Sequence, residues 1–152
     1  MGNSRKLSAS CIVIKDDKVL LVKHTYGAAK GKYLIPGGFS EEGEMPQMTA
    51  EREVLEETGV KVKAGSLAAV RFTTQEVWCI FLATYIEGEP ASDNCENEEA
   101  VFMPIEEALT SEQVVETSRE LVKAVLDAGK EILRLSEYVN PKFEDGTWQL
   151  FL

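Results

Sequence analysis

A short acidic helix bounded by glycines is the feature that most constrains this chain. Pro36-Gly37-Gly38 is a strong backbone breaker, and Gly59 stands where a helix C-cap belongs. Between them the stretch Pro46 to Thr58 reads as a helix, with Pro46 in its first turn. Residues three and four apart share a helix face, so Glu53, Glu56 and Glu57 project together. Each like-charge pair at this spacing costs roughly a few tenths of a kcal/mol in an exposed helix. Only Arg52 stands close enough to offset them, and its base-first order relative to Glu56 is the weaker orientation for a helix pair. A helix built for stability alone would interleave lysines. Carboxylates grouped this way suit a hard divalent cation such as Mg²⁺ or Mn²⁺, which prefers oxygen ligands and leaves positions for water and phosphate oxygens. Taken alone, the stripe fits a solvated glutamate-rich surface as well. Ala50 and Val54 flank it on one side, Met48 and Leu55 on the other, which predicts a helix wedged between two layers with its carboxylates opening into a cleft.

The rest of the chain supplies strands before and after this helix. Ser8 to Ile14 and Val19 to Lys23 are β-rich and joined by the polar Lys15-Asp16-Asp17-Lys18, which predicts a hairpin. Two further β-rich stretches follow the helix, Val62 to Phe72 and Val77 to Ile86. An acidic linker from Glu87 to Glu99 leads to a short strand at Val101-Phe102-Met103, and Pro104 to Leu109 starts a helical turn. Glu116 to Leu135 reads as helical with a break at Gly129. The tail from Tyr138 carries Phe143, Trp148, Leu150 and Phe151, too apolar for a free end, so it is expected to dock on the domain or on a partner, a homodimer included. Strands flanked by a few helices give an α/β or α+β layered domain, and 152 residues suit one domain with a real core.

Charge narrows the partners. Sixteen Lys and Arg against twenty-six Asp and Glu leave a formal net charge of −10. That argues against wrapping polymeric nucleic acid, which needs a basic surface. A small phosphorylated ligand stays compatible, because a cation can supply local positive charge while the surface remains acidic. No apolar run is long enough for a membrane span or a signal peptide, so the cytoplasm is the expected location. Cys11, Cys79 and Cys95 lack the paired spacing of a zinc site, and Cys11 and Cys79 sit in apolar runs as core residues do. His24, the only histidine, has no partner at ligand spacing, and no metal role is expected of it.

The spacing Gly38…Glu44…Arg52-Glu53-Val54…Glu56-Glu57…Gly59-Val60 resembles the signature of the Nudix hydrolase family at every defined position. The resemblance implies an α/β/α sandwich with a central mixed sheet, here a single domain over 1–152 with a helical and apolar C-terminal extension at about 110–152. It implies one to three divalent cations, Mg²⁺ or Mn²⁺, held by Glu56 and Glu57. Glu53 becomes a further ligand or a base for the attacking water, and the Gly37 carbonyl an additional ligand. Arg52 resembles the arginine that orients a glutamate, a task suited to a guanidinium fork. Gly38 and Gly59 are read as backbone requirements and Glu44 as a loop-to-helix brace. Family members often draw one more glutamate from a late loop; Glu96, Glu98 and Glu99 are the candidates, with Glu98 preferred.

The activity implied is metal-dependent hydrolysis of the diphosphate linkage in a nucleoside diphosphate joined to another moiety. A pyrophosphatase for damaged nucleoside triphosphates and a non-enzymatic nucleotide sensor are the alternatives. Secondary signals for a substrate class are missing. Gln75 stands where ADP-ribose-cleaving members often carry proline, and Val77 or Trp78 where diadenosine polyphosphate hydrolases carry tyrosine. Tyr26, Tyr33, Phe39, Phe72 and Trp78 are the aromatic residues available to stack on a base.

Overall fold

The structure is a computed structural model and describes residues 4–128, 132–135, 137 and 151. Asp16 and Asp17 turn the chain back on itself with positive φ of 49° and 58°, as a tight hairpin turn of the primed type requires. They join β1 (Lys6–Lys15) to β2 (Lys18–His24). The predicted hairpin forms, but its pairing is confined to Ile14↔Val19 and Lys15↔Lys18. Beyond the turn the two strands part and take other neighbours.

Short strands β3 (Tyr33–Leu34) and β4 (Gly37–Phe39) precede helix α1 (Pro46–Thr58). The predicted strands after it are β5 (Lys61–Phe72) and β6 (Glu76–Glu87). Strand β7 (Asn97–Pro104) begins earlier than its apolar residues alone suggest, because it pairs along β2 as far as His24. Helices α2 (Ile105–Thr110) and α3 (Glu116–Ala128) follow. The sheet runs β3-β2-β1-β6-β5, with β4 on β1 and β7 on β2. It is mixed: β1 and β6 run parallel and their partners antiparallel.

The period-2 alternation of β1 decides the layers. Ala9, Cys11 and Val13 face one core, which Ala50 and Val54 of α1 close from outside. Ile12 faces a second core with Ile80, Ala108, Val114 and Val122, on the side of α2 and α3. Helices thus cover both faces, the α/β/α arrangement expected. The flank of α1 differs from expectation: Met48 and Leu55 remain 53% and 49% exposed. The other helical layer lies across the sheet, so among the described residues α1 is packed on one side only.

Two further expectations are refined. Gly37-Gly38 does not merely break the chain but forms an edge pairing, Ala9↔Gly38 and Ser10↔Gly37. Glycine is needed for that approach, since a Cβ on Gly37 would fall 1.9 Å from Ser10 Oγ. The helix predicted to reach Leu135 is described only to Ala128, and Gly129, Phe143, Trp148 and Leu150 lie outside the described residues. Phe151 meets Phe81 of the first core at 5.8 Å between ring centroids, and the Leu67 amide donates to the Leu133 carbonyl at 2.7 Å. These tail residues dock on the chain's own fold. Cys11 lies in the first core, Cys79 packs at its margin, and no helix among the described residues is long and apolar enough to cross a membrane.

Candidate active site

The loop ahead of α1 and the helix itself are tied together by one arginine. Met45 at the N-cap offers no side-chain cap. Glu44 braces the helix start instead: its Oε2 accepts from the Glu41 amide at 3.0 Å and from Thr49 Oγ1 at 2.8 Å. Arg52 grips Glu44 with two nitrogens, Nε to Oε1 at 2.6 Å and Nη2 to Oε2 at 3.0 Å, and Nη2 also donates to the Phe39 carbonyl at 3.0 Å. That bidentate pairing holds the Glu44 carboxyl down at about 2 and pushes the Arg52 guanidinium upward. Nη1 reaches Glu53 Oε1 at 2.9 Å and Glu56 Oε2 at 3.1 Å. The arginine therefore orients three glutamates, where one was expected. Gly59 closes the helix in the left-handed region, φ 73°, donating to the Leu55 carbonyl.

Glu57 is the buried member of the acidic face, 4% exposed. Its Oε2 accepts from the Gly37 amide at 3.1 Å, which joins α1 to β4. Burial pushes its carboxyl up to about 8, against the pull of that hydrogen bond and with help from the charges of Glu53, Glu96 and Asp93. Glu53 is also raised, by burial first, despite its contact with Arg52. Gly38 makes room for Glu53, because a Cβ there would sit 2.5 Å from its Cδ. The two glycines of β4 are thus space requirements set by Ser10 at Gly37 and by Glu53 at Gly38.

These groups open into a cavity of about 660 Å³. Glu53, Glu56 and Glu57 of α1 line it, as do Asp93, Cys95 and Glu96 of the loop ahead of β7. Ser8, Ser10, Arg71, Glu76 and Trp78 of the sheet line it too. Every anionic donor here is a carboxylate oxygen, and the excess of negative charge around a buried Glu57 fits a hard divalent cation. Among the described residues no three Asp, Glu, His or Cys side chains already converge as a ligand set, since Arg52 draws Glu53 and Glu56 toward itself.

The NUDIX domain family model matches residues 4–125. The chain belongs to the Nudix family. It is 34% identical over 98 residues to the NAD-capped RNA hydrolase NudC of Klebsiella pneumoniae, a match covering 58% of this chain and 36% of that protein. With the NudC of Escherichia coli O1:K1 the identity is 35% over 95 residues, covering 56% and 35%. The chain therefore spans about a third of the length of these curated relatives. In fold it resembles a MutT Nudix hydrolase from Burkholderia pseudomallei, with a TM-score of 0.70 at 19% identity over 80% of this chain and 98% of that one. An ADP-ribose pyrophosphatase from Streptococcus suis gives 0.66 at 20% identity, covering 90% and 97%.

Of the three candidate late glutamates, the one that reaches the cavity is not the one preferred from sequence. Glu98 points to Lys23, with Oε1 3.2 Å from Nζ, and is absent from the cavity lining. Glu99 accepts from the Tyr33 hydroxyl. Glu96 is the one that lines the cavity. Two residues not singled out in the sequence cause this. Asp93 Oδ1 gathers the amides of Cys95, Glu96 and Asn97 at 2.9, 3.0 and 3.1 Å, curling the loop. Asn97 Nδ2 then donates to the Glu57 carbonyl at 2.9 Å, fixing where β7 starts against the end of α1. Ser92-Asp93-Asn94 is a visible turn signal in the sequence, but its target on α1 is not. His24 is half-buried and stacked on Tyr26 at 5.2 Å, with its basicity lowered by burial.

Proposed function

We propose that this Nudix protein is a metal-dependent pyrophosphohydrolase that cleaves the diphosphate linkage of a nucleoside diphosphate joined to another moiety. The observation that carries the reading is Glu57: a carboxylate buried in the lining of a cavity that Glu53, Glu56 and Glu96 also line costs stability that a cation-dependent site would recover. Glu56 and Glu57 would hold Mg²⁺ or Mn²⁺, with the Gly37 carbonyl and Glu96 as further donors. The bound cation supplies neutralisation of the diphosphate charge and a lowered pKa for water.

The chain's own residues account for the remaining steps. Glu53, its affinity for protons raised by burial, takes a proton from the attacking water as oxygen bonds to phosphorus. The bridging P–O bond breaks, and its electron pair leaves with the second phosphate. Arg52 touches three glutamates and holds them in place; its role is positioning. Exclusion of bulk water from the buried wall strengthens each of these interactions.

Removal of a diphosphate from damaged triphosphates would use the same groups. The complete set of helix carboxylates favours an enzyme over a nucleotide sensor, which needs no such set. The NudC relatives act on NAD-capped RNA by name, yet a net charge of −10 favours a small nucleotide over a long RNA here. A hydrolysis screen tests the reading, using ADP-ribose, nucleotide sugars, dinucleoside polyphosphates, NADH, coenzyme A and triphosphates with Mg²⁺ and then Mn²⁺. Release of a nucleoside phosphate from at least one diphosphate-linked substrate is expected, and inertness toward all of them refutes it.

A further inference from the structure

The sheet face that carries the second core changes character along its length. On β1 the residues of that face run Ser8, Ser10, Ile12; on β6 they run Glu76, Trp78, Ile80. The register Ser8↔Trp78 and Arg71↔Trp78 brings the polar ends side by side in the cavity lining. There the side chains form a fixed network. Trp78 Nε1 donates to Ser10 Oγ at 2.9 Å, Ser8 Oγ donates to Glu76 Oε1, and Arg71 Nη2 donates to Glu76 Oε2 at 2.6 Å. Arg71 lies over the Trp78 ring, 4.7 Å from its centroid. None of these residues belongs to the acidic helix, and a sheet face built only for packing would continue with apolar residues.

We infer that the Arg71–Trp78 stack and the Glu76 carboxylate form a base-recognition subsite that selects nucleobases bearing an exocyclic amino group. This rests on the reading that the cavity holds a nucleotide. A base entering the cavity can add to the Arg71–Trp78 stack, in which the guanidinium already lies over the indole. Selection comes from the edge. Glu76 is held in place by Ser8 and Arg71, and each carboxylate oxygen keeps a lone pair for a further donor. An amino group offers that donor, as carboxylates accept from the amino group of cytosine. A carbonyl oxygen set against the Glu76 carboxylate itself meets only acceptor oxygens and is repelled.

Calorimetric titration in Mg²⁺ compares AMP with IMP and CMP with UMP; each pair exchanges the exocyclic amino group for a carbonyl, and the neighbouring ring nitrogen from acceptor to donor. The parent protein is expected to bind the amino-bearing member about tenfold more tightly, the scale of a hydrogen bond to a charged group. Glu76→Gln, which can accept or donate, should bring each ratio to within about threefold of one while still binding. Trp78→Leu should weaken all four by about tenfold or more, the scale of one base-stacking contact. Comparable ratios in the parent and Glu76→Gln, equal binding within both pairs by the parent, or no binding of any mononucleotide overturns the inference. Calorimetry reports loss of folded protein as a lowered stoichiometry, separately from affinity, so a fragile Trp78→Leu does not blunt the test. Selective binding without turnover of any diphosphate leaves the subsite standing and removes the enzymatic reading; turnover indifferent to the base does the reverse.

Discussion

Replacing Glu57 by glutamine should make the metal-free protein more stable while removing its activity. The Glu57 carboxyl moves from 4.5 to about 8 on folding, chiefly through burial. Its folded-state value is raised, so the folded protein prefers the proton. Below pH 4.5 both states are protonated and there is no penalty. Between 4.5 and 8 parental stability falls as pH rises, by about 1.4 kcal/mol per pH unit for this one group. Above 8 the penalty is full and constant. At pH 7 the ceiling is about 3 kcal/mol, and relaxation around the charge brings the expected cost to about 1–3 kcal/mol. Glutamine matches the protonated carboxyl in shape, and its carbonyl still accepts from the Gly37 amide. In chelator at pH 7 the variant should therefore melt roughly 3–10 °C above the parent. That gap should shrink toward pH 5. With Mg²⁺ present the parent gains stability by ligand linkage and the variant gains little. A variant that melts well below the parent in chelator, or a gap that ignores pH, would refute the argument that Glu57 is strained by its own charge.

Three other outcomes follow from the same geometry. Turnover should vanish in excess chelator and return with Mg²⁺ or Mn²⁺, measured on whichever substrate the screen identifies; full activity in chelator would remove the cation from the mechanism. Glu96→Gln should lower kcat by about 10²-fold or more with little change in melting temperature, whereas Glu98→Gln loses only an exposed ion pair with Lys23 and should stay near parental kcat. Gly38→Ala should cut activity sharply, because the new Cβ lands 2.5 Å from Glu53 Cδ and the carboxylate must move; a variant with parental kcat and KM would show that Glu53 tolerates displacement.

The helix and its acidic face were legible because they are local. Pro46, Gly59 and the one-turn spacing of Glu53, Glu56 and Glu57 depend only on the geometry of a single helix. The strands were legible from their β-rich runs, and the turn at Asp16-Asp17 from its polar composition. Partner choice was not. Nothing within β1 says that it leaves its hairpin partner after two residue pairs and runs parallel to β6. For the same reason Met48 and Leu55 looked like a second packing face, although the helical layer that could cover them settled across the sheet.

The late glutamate shows where local reading stops and why. Glu96, Glu98 and Glu99 have the same chemistry, and a three-residue window contains nothing to rank them. What ranks them is a register fixed from two directions. Asp93 curls the loop through three backbone amides, and Asn97 ties the next residue to the Glu57 carbonyl. Once Asn97 is pinned, β7 alternates from that point, so Glu98 and Glu99 fall to Lys23 and Tyr33 on β2 and β3. Glu96 is left on the loop side of the pin, at the cavity wall. The residue that selects the carboxylate is thus a neutral asparagine. Asn97→Leu should accordingly lower kcat through Glu96 without removing a single charge, and it should make a further Glu96→Gln change nearly silent. If the two substitutions instead multiply independently, the register at Asn97 is not what places Glu96.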